Sequence, residues 1–318
     1  MKNYVSAIIA LITVALAAAA YGDWVYEGKW GSAGSGNGQF YYPHQLSVAP
    51  SSGNVYVADC FNSRVQYFSA TGSYLGQWGG VNYANGVAVA PNGNVYAGDN
   101  IYCRVQYYTA GGSFLGSWGS PGSGNGQFNP VGLLAVAPTG NVYVTELSNN
   151  RVQYFTSTGS FLGKWGWPGT GDSFFNSPEG VALNATGTRV YVADANNNRI
   201  QYFTATGAYL GKWGTYGSGD GQFKYPLDVA VKPNGDVYVT DYNNNRVQYF
   251  TSAGSFLGKW GSPGTGNGQF NLPRGVDFDA TASRIYVADG DNNRIQYFNW
   301  VNTAVVPTSL GRVKAVYH

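Results

Sequence analysis

Charged side chains are scarce in this chain of 318 residues. Lysine and arginine contribute 18 residues and aspartate and glutamate 16, which together make up 11% of the sequence, where ~25% is usual for a soluble domain. The net charge of +2 offers none of the clustered basic surface on which nucleic-acid binding depends. Aromatic residues reach 16%, and a chain so rich in rings and so poor in charge is not intrinsically disordered.

Histidine, cysteine and methionine are also rare. The two histidines and two cysteines form no clustered zinc motif, and His44, the one histidine before the C-terminal His318, has no serine partner pattern for nucleophilic catalysis. A single methionine and sparse leucine argue against a helical bundle. These absences favour an all-β protein that binds rather than catalyses.

Long apolar runs are absent except at the N-terminus. Residues 4–20 are uncharged and follow Lys2, and Ala18 and Ala20 provide the small residues of a signal-peptide cleavage site. The run is just long enough to span a bilayer, so an uncleaved membrane anchor is the alternative interpretation. Both interpretations predict that the rest of the protein is exported, to the cell surface or beyond, and touches a membrane only through residues 4–20 if they are retained. Residues 1–20 are therefore excluded from the fold.

A repeated segment dominates the remainder of the chain. The sequence Arg-Val/Ile-Gln-Tyr-Phe/Tyr occurs six times at spacings of 40, 47, 48, 47 and 48 residues, and a Trp-Gly pair lies 14 residues after each of the first five arginines. Each unit divides into four short β-type runs separated by glycine and asparagine turns, as in Leu227–Val231, Asp236–Thr240, Arg246–Phe250 and Ser255–Trp260. Four strands per ~45 residues are typical of a propeller blade.

The two ends of the repeat region complete each other. The sixth unit lacks its fourth strand, and the missing Gly-Lys-Trp-Gly sequence lies near the N-terminus within residues 24–31. The sequence thus predicts an all-β, six-bladed propeller of four-stranded antiparallel blades over residues 21–299, closed by the strand at residues 24–30, with a tail over residues 300–318. Closure leaves only short, protected strand edges.

The unit closely resembles the NHL repeat. Its pattern is Phe-x-x-Pro-x-Gly-Val-Ala-Val, Gly-x-Val-Tyr-Val-Ala-Asp-x-x-Asn-x-Arg-Ile-Gln-Tyr-Phe and Gly-x-Phe-Leu-x-x-Trp-Gly, and the clearest copy extends from Phe223 to Gly261. The resemblance implies a six-bladed propeller but not one activity, because the family includes RNA-binding and protein-binding domains, extracellular sensors and an amidating lyase. The lyase site would require several histidines, which this chain lacks.

An acidic residue lies five positions before each repeated arginine. A charge pair that recurs in every blade indicates a structural clamp rather than a ligand site, because an arginine fork can hold both a carboxylate and nearby carbonyls. The Trp-Gly pairs are expected to pack between blades. The predicted clamps are Asp59 with Arg64, Asp99 with Arg104, Glu146 with Arg151, Asp194 with Arg199, Asp241 with Arg246, and Asp289 with Arg294.

Functional residues are expected where the units differ, first at the mouth of the central channel. Oxygen ligands suit calcium and similar hard cations, and the candidate ligands at the strand starts are His44, Asn85, Glu179 and Asp228. By analogy with six-bladed lactonases, these residues would make a metal-dependent lactonase or hydrolase the alternative function. The other interpretation is a polar, water-filled pore entrance in which Arg274 neutralises Glu179.

The second departure is the short second unit. Its reduced entry loop predicts a notch between the first two blades, and the exposed apolar residues expected around it are Phe61, Tyr83, Ile101 and Tyr102. Cys60 and Cys103 lie in the same type of loop, and export favours a disulfide between them.

Together these features predict an exported, non-enzymatic binding propeller. Its protein or glycan partner would dock on the face that carries the notch and the channel mouth. An adhesive or envelope-structural protein without a small ligand is the remaining hypothesis.

Overall fold

The computed structural model describes residues 22–302, which form six four-stranded antiparallel sheets. The first strands of successive sheets contact one another in a closed ring, so the sheets are the blades of a propeller around a central channel. This confirms the predicted six-bladed architecture. The predicted signal segment at residues 1–20 and residues 303–318 of the predicted tail lie outside the described residues.

The strands of the first three blades follow the chain in order. Blade 1 contains β2 (Pro43–Val48), β3 (Val55–Asp59), β4 (Arg64–Phe68) and β5 (Tyr74–Gly79); blade 2 contains β6 (Val87–Val89), β7 (Val95–Asp99), β8 (Arg104–Tyr108) and β9 (Phe114–Trp118); blade 3 contains β10 (Val131–Val136), β11 (Val142–Glu146), β12 (Arg151–Phe155) and β13 (Phe161–Trp165).

The last three blades repeat the pattern. A short parallel pair, β14 (Trp167–Pro168) and β15 (Phe174–Phe175), precedes them; blade 4 contains β16 (Pro178–Leu183), β17 (Arg189–Asp194), β18 (Arg199–Thr204) and β19 (Tyr209–Trp213); blade 5 contains β20 (Pro226–Val231), β21 (Val237–Asp241), β22 (Arg246–Phe250) and β23 (Phe256–Trp260); blade 6 contains β24 (Pro273–Phe278), β25 (Arg284–Asp289), β26 (Arg294–Asn302) and β1 (Gly22–Trp30). Short 3₁₀ turns cover Cys60–Asn62, Ala195–Asn197, Tyr242–Asn244 and Gly290–Asn292.

The hydrophobic core lies in six clusters between neighbouring blades. A tyrosine on the second strand of each blade is buried there, and in five blades its hydroxyl donates to a carbonyl in another blade, as Tyr56 does to Ala110 at 2.9 Å. The repeated tryptophans pack beneath the glycine of a turn in the adjacent blade: a Cβ at Gly72, whose φ is +89°, would lie 2.6 Å from the Trp30 ring. The residues that recur with the sequence period are therefore the ones that pack the interfaces between blades, which we call joints.

Ring closure brings the two ends of the described chain together. β1 pairs antiparallel with β26 from Gly22–Asn302 to Trp30–Ile295, so the N-terminal strand is the outer strand of blade 6, as predicted. The pairing extends β26 to Asn302, three residues into the segment predicted as tail. Trp24 is buried in the closing joint, with its ring centroid 5.2 Å from that of Trp300 and 5.8 Å from those of Tyr238 and Trp260.

Trp24→Ala should lower the free energy of unfolding by ~3–5 kcal/mol, since it removes a large buried ring from the joint that closes the propeller. Val25→Ala is the matched control, because Val25 lies next to it on the same strand with its side chain exposed. Urea denaturation measures both changes. Equal losses for the two variants would show that closure does not depend on this joint.

Candidate functional site

One face of the propeller carries both loop types in which the blades differ. We call it the top face. It contains the entry loops that lead into each first strand and the turns that join second to third strands. The two loop types are bound to each other: the Asn62 side chain in the first turn donates to Gly34 O at 2.9 Å, and equivalent asparagines do the same in blades 3, 4, 5 and 6.

The arginine and acidic residue predicted as clamps lie together in all six blades. In blade 5, Arg246 Nε donates to Asp241 Oδ2 at 2.7 Å, and its two terminal nitrogens donate to the carbonyls of Ser218, Gly219 and Gln222 in the entry loop. The arginines of blades 1, 3, 4 and 6 hold three entry-loop carbonyls in the same way. Each such arginine fixes a loop of the top face to its blade.

Blade 2 departs from this arrangement. Arg104 Nε donates to Asp99 Oδ2 at 3.0 Å, one terminal nitrogen lies 3.0 Å from the same oxygen, and no entry-loop carbonyl lies against the guanidinium. Its side chain is 34% exposed, whereas the other five clamp arginines are 7–9% exposed. The guanidinium instead lies 5.0 Å from the Tyr102 ring.

The four residues predicted to bind a cation do not form a ligand set. Asp228 accepts the backbone N–H groups of Val229 and Val276 at 2.9 and 3.1 Å, and Glu179 Oε1 accepts the hydroxyl of Tyr225 at 2.8 Å. Asn85 Oδ1 accepts from the thiol of Cys60 at 3.2 Å. Within residues 22–302 no three His, Cys, Asp or Glu side chains are placed to hold a metal ion. The strand starts turn these oxygens toward neighbouring protein donors.

Burial shifts the pKa values of the ionisable side chains at the channel mouth. It raises the pKa of Glu179 to about 7, against the opposing effects of the Tyr225 hydrogen bond and the Arg274 charge, and it raises the pKa of Asp228 well above its usual value. Burial, with the charge of Arg274, lowers the pKa of His44 well below its usual value. The imidazole is therefore neutral at pH 7, and Glu179 keeps its proton to a much higher pH than an exposed glutamate does.

The charge of Arg274 acts on Glu179, whose pKa it lowers, but the two side chains form no ion pair. No acidic oxygen of the described residues lies within ion-pair distance of it, and its guanidinium lies between two tyrosine rings, 4.0 Å from the centroid of Tyr42 and 4.9 Å from that of Tyr242. One terminal nitrogen donates to the Tyr242 hydroxyl at 2.9 Å. Arg274 is thus held at the channel mouth by contacts with the two tyrosines Tyr42 and Tyr242.

An exposed aromatic cluster extends from this arginine and its tyrosines toward blade 2. The ring of Phe61 stacks on Tyr42 at 4.8 Å between centroids and contacts Tyr41 at 5.0 Å and Tyr83 at 5.1 Å. We call these four residues the aromatic cluster. Tyr42 and Tyr83 have φ of 67° and 54°, an uncommon conformation for bulky residues. Sequence reasoning identified Phe61 and Tyr83 but missed Tyr41 and Tyr42, although the Tyr-Tyr pair before Pro43 occurs in no other unit.

The other two predicted notch residues lie in the turn of blade 2. Ile101 is 62% exposed and Tyr102 56%. This turn is joined to the short entry loop through Asn100 N, which donates to Asn82 O at 3.0 Å. Both predicted halves of the notch are thus on the top face and exposed.

The predicted disulfide is absent, since Cys60 and Cys103 are both free. Cys60 is the first residue of its turn and is buried against Asn85 at the channel mouth, where burial raises the pKa of its thiol to about 12. Cys103 is the last residue of its turn and packs against the core between blades 2 and 3. The two positions direct their sulfurs into different joints.

Sequence reasoning also missed a cavity of about 450 Å³ in the channel. Gln45 and Asp228 occupy equivalent positions at its upper end, where the other four blades have glycine. Gln45 Oε1 accepts the N–H groups of Val87 and Leu134, so its side chain joins three blades across the channel. Below it, Asp277 accepts Val48 N at 2.9 Å, and burial raises the pKa of Asp277 to about 6. These side chains satisfy strand N–H groups that face the channel.

The NHL repeat model matches residues 40–68, 175–203 and 223–250, so the chain carries NHL repeats and the resemblance is confirmed. No curated protein matches the chain.

Several solved structures have the same fold. They include a protein of unknown function from Bacteroides thetaiotaomicron (17% identity, 88% of this chain and 77% of that chain, TM-score 0.70), a gluconolactonase from Xanthomonas campestris (14%, 88% and 98%, 0.63) and a virginiamycin B lyase from Staphylococcus aureus (14%, 88% and 99%, 0.60). At these identities the likeness shows the fold alone.

Arg246→Gln should lower the free energy of unfolding by ~3–5 kcal/mol, because it leaves the buried carboxylate of Asp241 uncompensated and frees an entry loop. Arg104→Gln is the matched variant in blade 2: it also leaves a fully buried carboxylate, Asp99, uncompensated but releases no loop, so it should cost ~1–2 kcal/mol less than Arg246→Gln. Chemical denaturation measures both. If Arg104→Gln costs as much as Arg246→Gln, the loop carbonyls contribute nothing to the clamp.

The raised pKa of Glu179 predicts a pH dependence of stability. The folded state holds the proton up to about pH 7 whereas the unfolded chain releases it near 4.5, so the free energy of unfolding falls as pH rises through this window. Glutamine does not titrate, so Glu179→Gln should not lose this stability. The free energy of unfolding of the variant minus that of wild type should therefore be larger at pH 8 than at pH 4.5, by up to ~3 kcal/mol.

Tyr225→Phe provides the opposite test in the same measurement. It removes a hydrogen bond that holds the pKa of Glu179 down, so the fall in stability should extend to higher pH. Denaturation curves recorded from pH 4.5 to 8.5 measure both effects. An unchanged pH profile in both variants would contradict the assignment.

Proposed function

We propose that this NHL-repeat propeller is an exported binding protein whose partner, a protein, docks on the top face over the aromatic cluster. The main support for this proposal is the aromatic cluster itself. Tyr41, Phe61 and Tyr83 are 54, 38 and 42% exposed, and all three rings are held in mutual contact through Phe61. Large rings fixed on a surface are the groups that anchor protein interfaces, because they bury much apolar area at little cost in side-chain entropy.

The cluster is preorganised from below. The N–H of Tyr42 donates to Asn293 Oδ1 of blade 6 at 2.9 Å, and the Arg274 guanidinium lies over the Tyr42 ring, 4.0 Å from its centroid. Phe61 lies in a turn fixed to the entry loop by its own N–H, which donates to Tyr41 O at 3.1 Å. A rigid surface loses little conformational freedom on binding, which supports a docking role.

The arrangement of the channel mouth supports binding over hydrolysis. The oxygens expected to coordinate a cation accept protein hydrogen bonds instead, as Asp228 does from Val229 and Val276. The gluconolactonase and the lyase share the propeller at 14% identity, so they lend the enzymatic alternative only their fold.

The export part of the proposal rests on the sequence. The apolar segment before Tyr21 has the composition of a signal peptide or N-terminal anchor. Within residues 22–302 no helix is long and apolar enough to cross a membrane.

A photo-crosslinking residue at position 41, introduced as Tyr41→benzoylphenylalanine, should capture a protein from the surface of the producing cells. The same residue placed by Leu257→benzoylphenylalanine is the control, because Leu257 is similarly exposed on the outer strand of blade 5. Phe61→Ala should reduce capture at position 41 at least tenfold, since loss of a central interface ring costs ~2 kcal/mol or more. Equal capture from both positions, or capture of glycan rather than protein, would contradict the proposal.

A further inference from the structure

The entry loop of blade 2 is missing a segment that every other blade possesses. From Trp30 to Phe40 the first entry loop spans ten positions, whereas Trp78 is followed after only three by Val81. Val81 is fully buried, as the phenylalanines at the ends of the other five loops are. The shortened chain therefore keeps the buried end of the loop and lacks the turn above it.

In the other five blades that turn is held through its main chain. Blade 3 shows the pattern: Arg151 donates to the carbonyls of Ser123, Gly124 and Gln127, and Asn149 donates to Gly122 O. The turn depends on glycine, since Gly122 and Gly126 have φ of +148° and +74°. The arginine and asparagine of a blade thus form a receptor for a glycine-rich turn, and the contacts read backbone carbonyls rather than side chains.

The same receptor in blade 2 is open. Arg104 places Nε and one terminal nitrogen at 3.0 Å from Asp99 Oδ2, binds no loop carbonyl, and leaves 34% of its side chain exposed. Tyr102 stands where five blades have the asparagine that binds the turn, and its exposed ring lies beneath the guanidinium. With the exposed side chain of Ile101, these residues form the blade 2 notch.

The floor of the notch is finished without the turn. In loop-bearing blades the repeated glutamine accepts an N–H of the turn, as Gln153 does from Gly126 at 3.0 Å. In blade 2, Gln106 Oε1 accepts instead the hydroxyl of Tyr108 at 2.9 Å, and Tyr108 replaces the phenylalanine of every other copy. Gln106 Nε2 donates to Gly80 O at 2.7 Å. The floor of the notch is therefore complete without the turn, whereas the arginine fork lacks the carbonyl partners that it has in the other five blades.

We propose that the blade 2 notch binds a glycine-rich turn of a partner protein, whose main-chain carbonyls occupy Arg104 as the chain's own turns occupy the other five clamp arginines. The inference rests on the proposed function and names the feature of the partner that is recognised. Asp99 engages Nε and one terminal nitrogen, and the remaining N–H groups of the two terminal nitrogens form the outer edge of a planar fork that matches two neighbouring carbonyl oxygens. The residue that follows the partner's turn packs on Ile101 and Tyr102, because the buried place that would otherwise receive it is already filled by Val81.

The probe is the acetylated and amidated peptide Gly-Ser-Gly-Asn-Gly-Gln-Phe, which copies residues 122–128 of this chain. Calorimetric titration into the purified full-length protein should show saturable binding. Arg104→Gln should weaken it at least tenfold, and Arg104→Lys should weaken it too, since lysine lacks the fork. A control peptide with alanine in place of the first and third glycines should bind at least tenfold more weakly, because alanine disfavours both positive φ angles.

A loop-filled variant provides the structural control. Residues 32–40 replace Gly80 and Val81, which restores the missing turn, and peptide binding should then be lost while the melting temperature shows that the fold is kept. Equal affinity of Arg104→Gln and wild type, or no saturable binding to wild type at millimolar peptide, overturns the inference. Capture at position 41 without peptide binding would leave the proposed function standing and remove this inference alone; absence of both would remove both.

Discussion

The contact between a buried arginine and the carboxylate five residues before it determines how this protein is built. In each blade the carboxylate is fully buried, and the arginine that neutralises it also binds, in five blades, three carbonyls of the preceding entry loop. A buried carboxylate without this partner would be strongly unfavourable. In five blades the charge pair therefore fixes the entry loop to its blade, and the six pairs together use 12 of the 34 charged residues in the chain.

Because the loops are fixed in this way, the top face can differ from blade to blade without loss of the frame. Blade 1 places the pair of tyrosines before Pro43 over the channel mouth, and blade 2 omits a turn beside them. The asymmetry of the surface thus depends on a symmetrical interior. Tyr42 keeps its unfavourable φ of 67° because the Asn293 side chain of the neighbouring blade accepts its N–H.

Much of the fold could be predicted because the period of the sequence is the period of the structure. The strands of blade 5 begin and end within one residue of their predicted limits, and the missing strand of the last unit was found at the other terminus by its Gly-Lys-Trp-Gly sequence. The site was harder to predict because its chemistry depends on the direction in which each side chain points. The sequence places Asp228 at a strand start but does not tell that its oxygens turn to the amides of Val229 and Val276. Likewise Cys60 and Cys103 share a loop type, but the first and last positions of that turn face different joints.

The pairing of Gly22 with Asn302 determines how the propeller can be presented. β26 leaves the clamp of blade 6 on the top face and descends to Asn302, and β1 rises beside it from Gly22, so both ends of the described chain leave at the lower rim of one blade. Both ends of the described chain therefore lie on the side of the propeller away from the aromatic cluster and the blade 2 notch. Within residues 22–302 neither end crosses the top face, so the same strand pair that closes the ring also keeps the two ends away from the surface on which the blades differ.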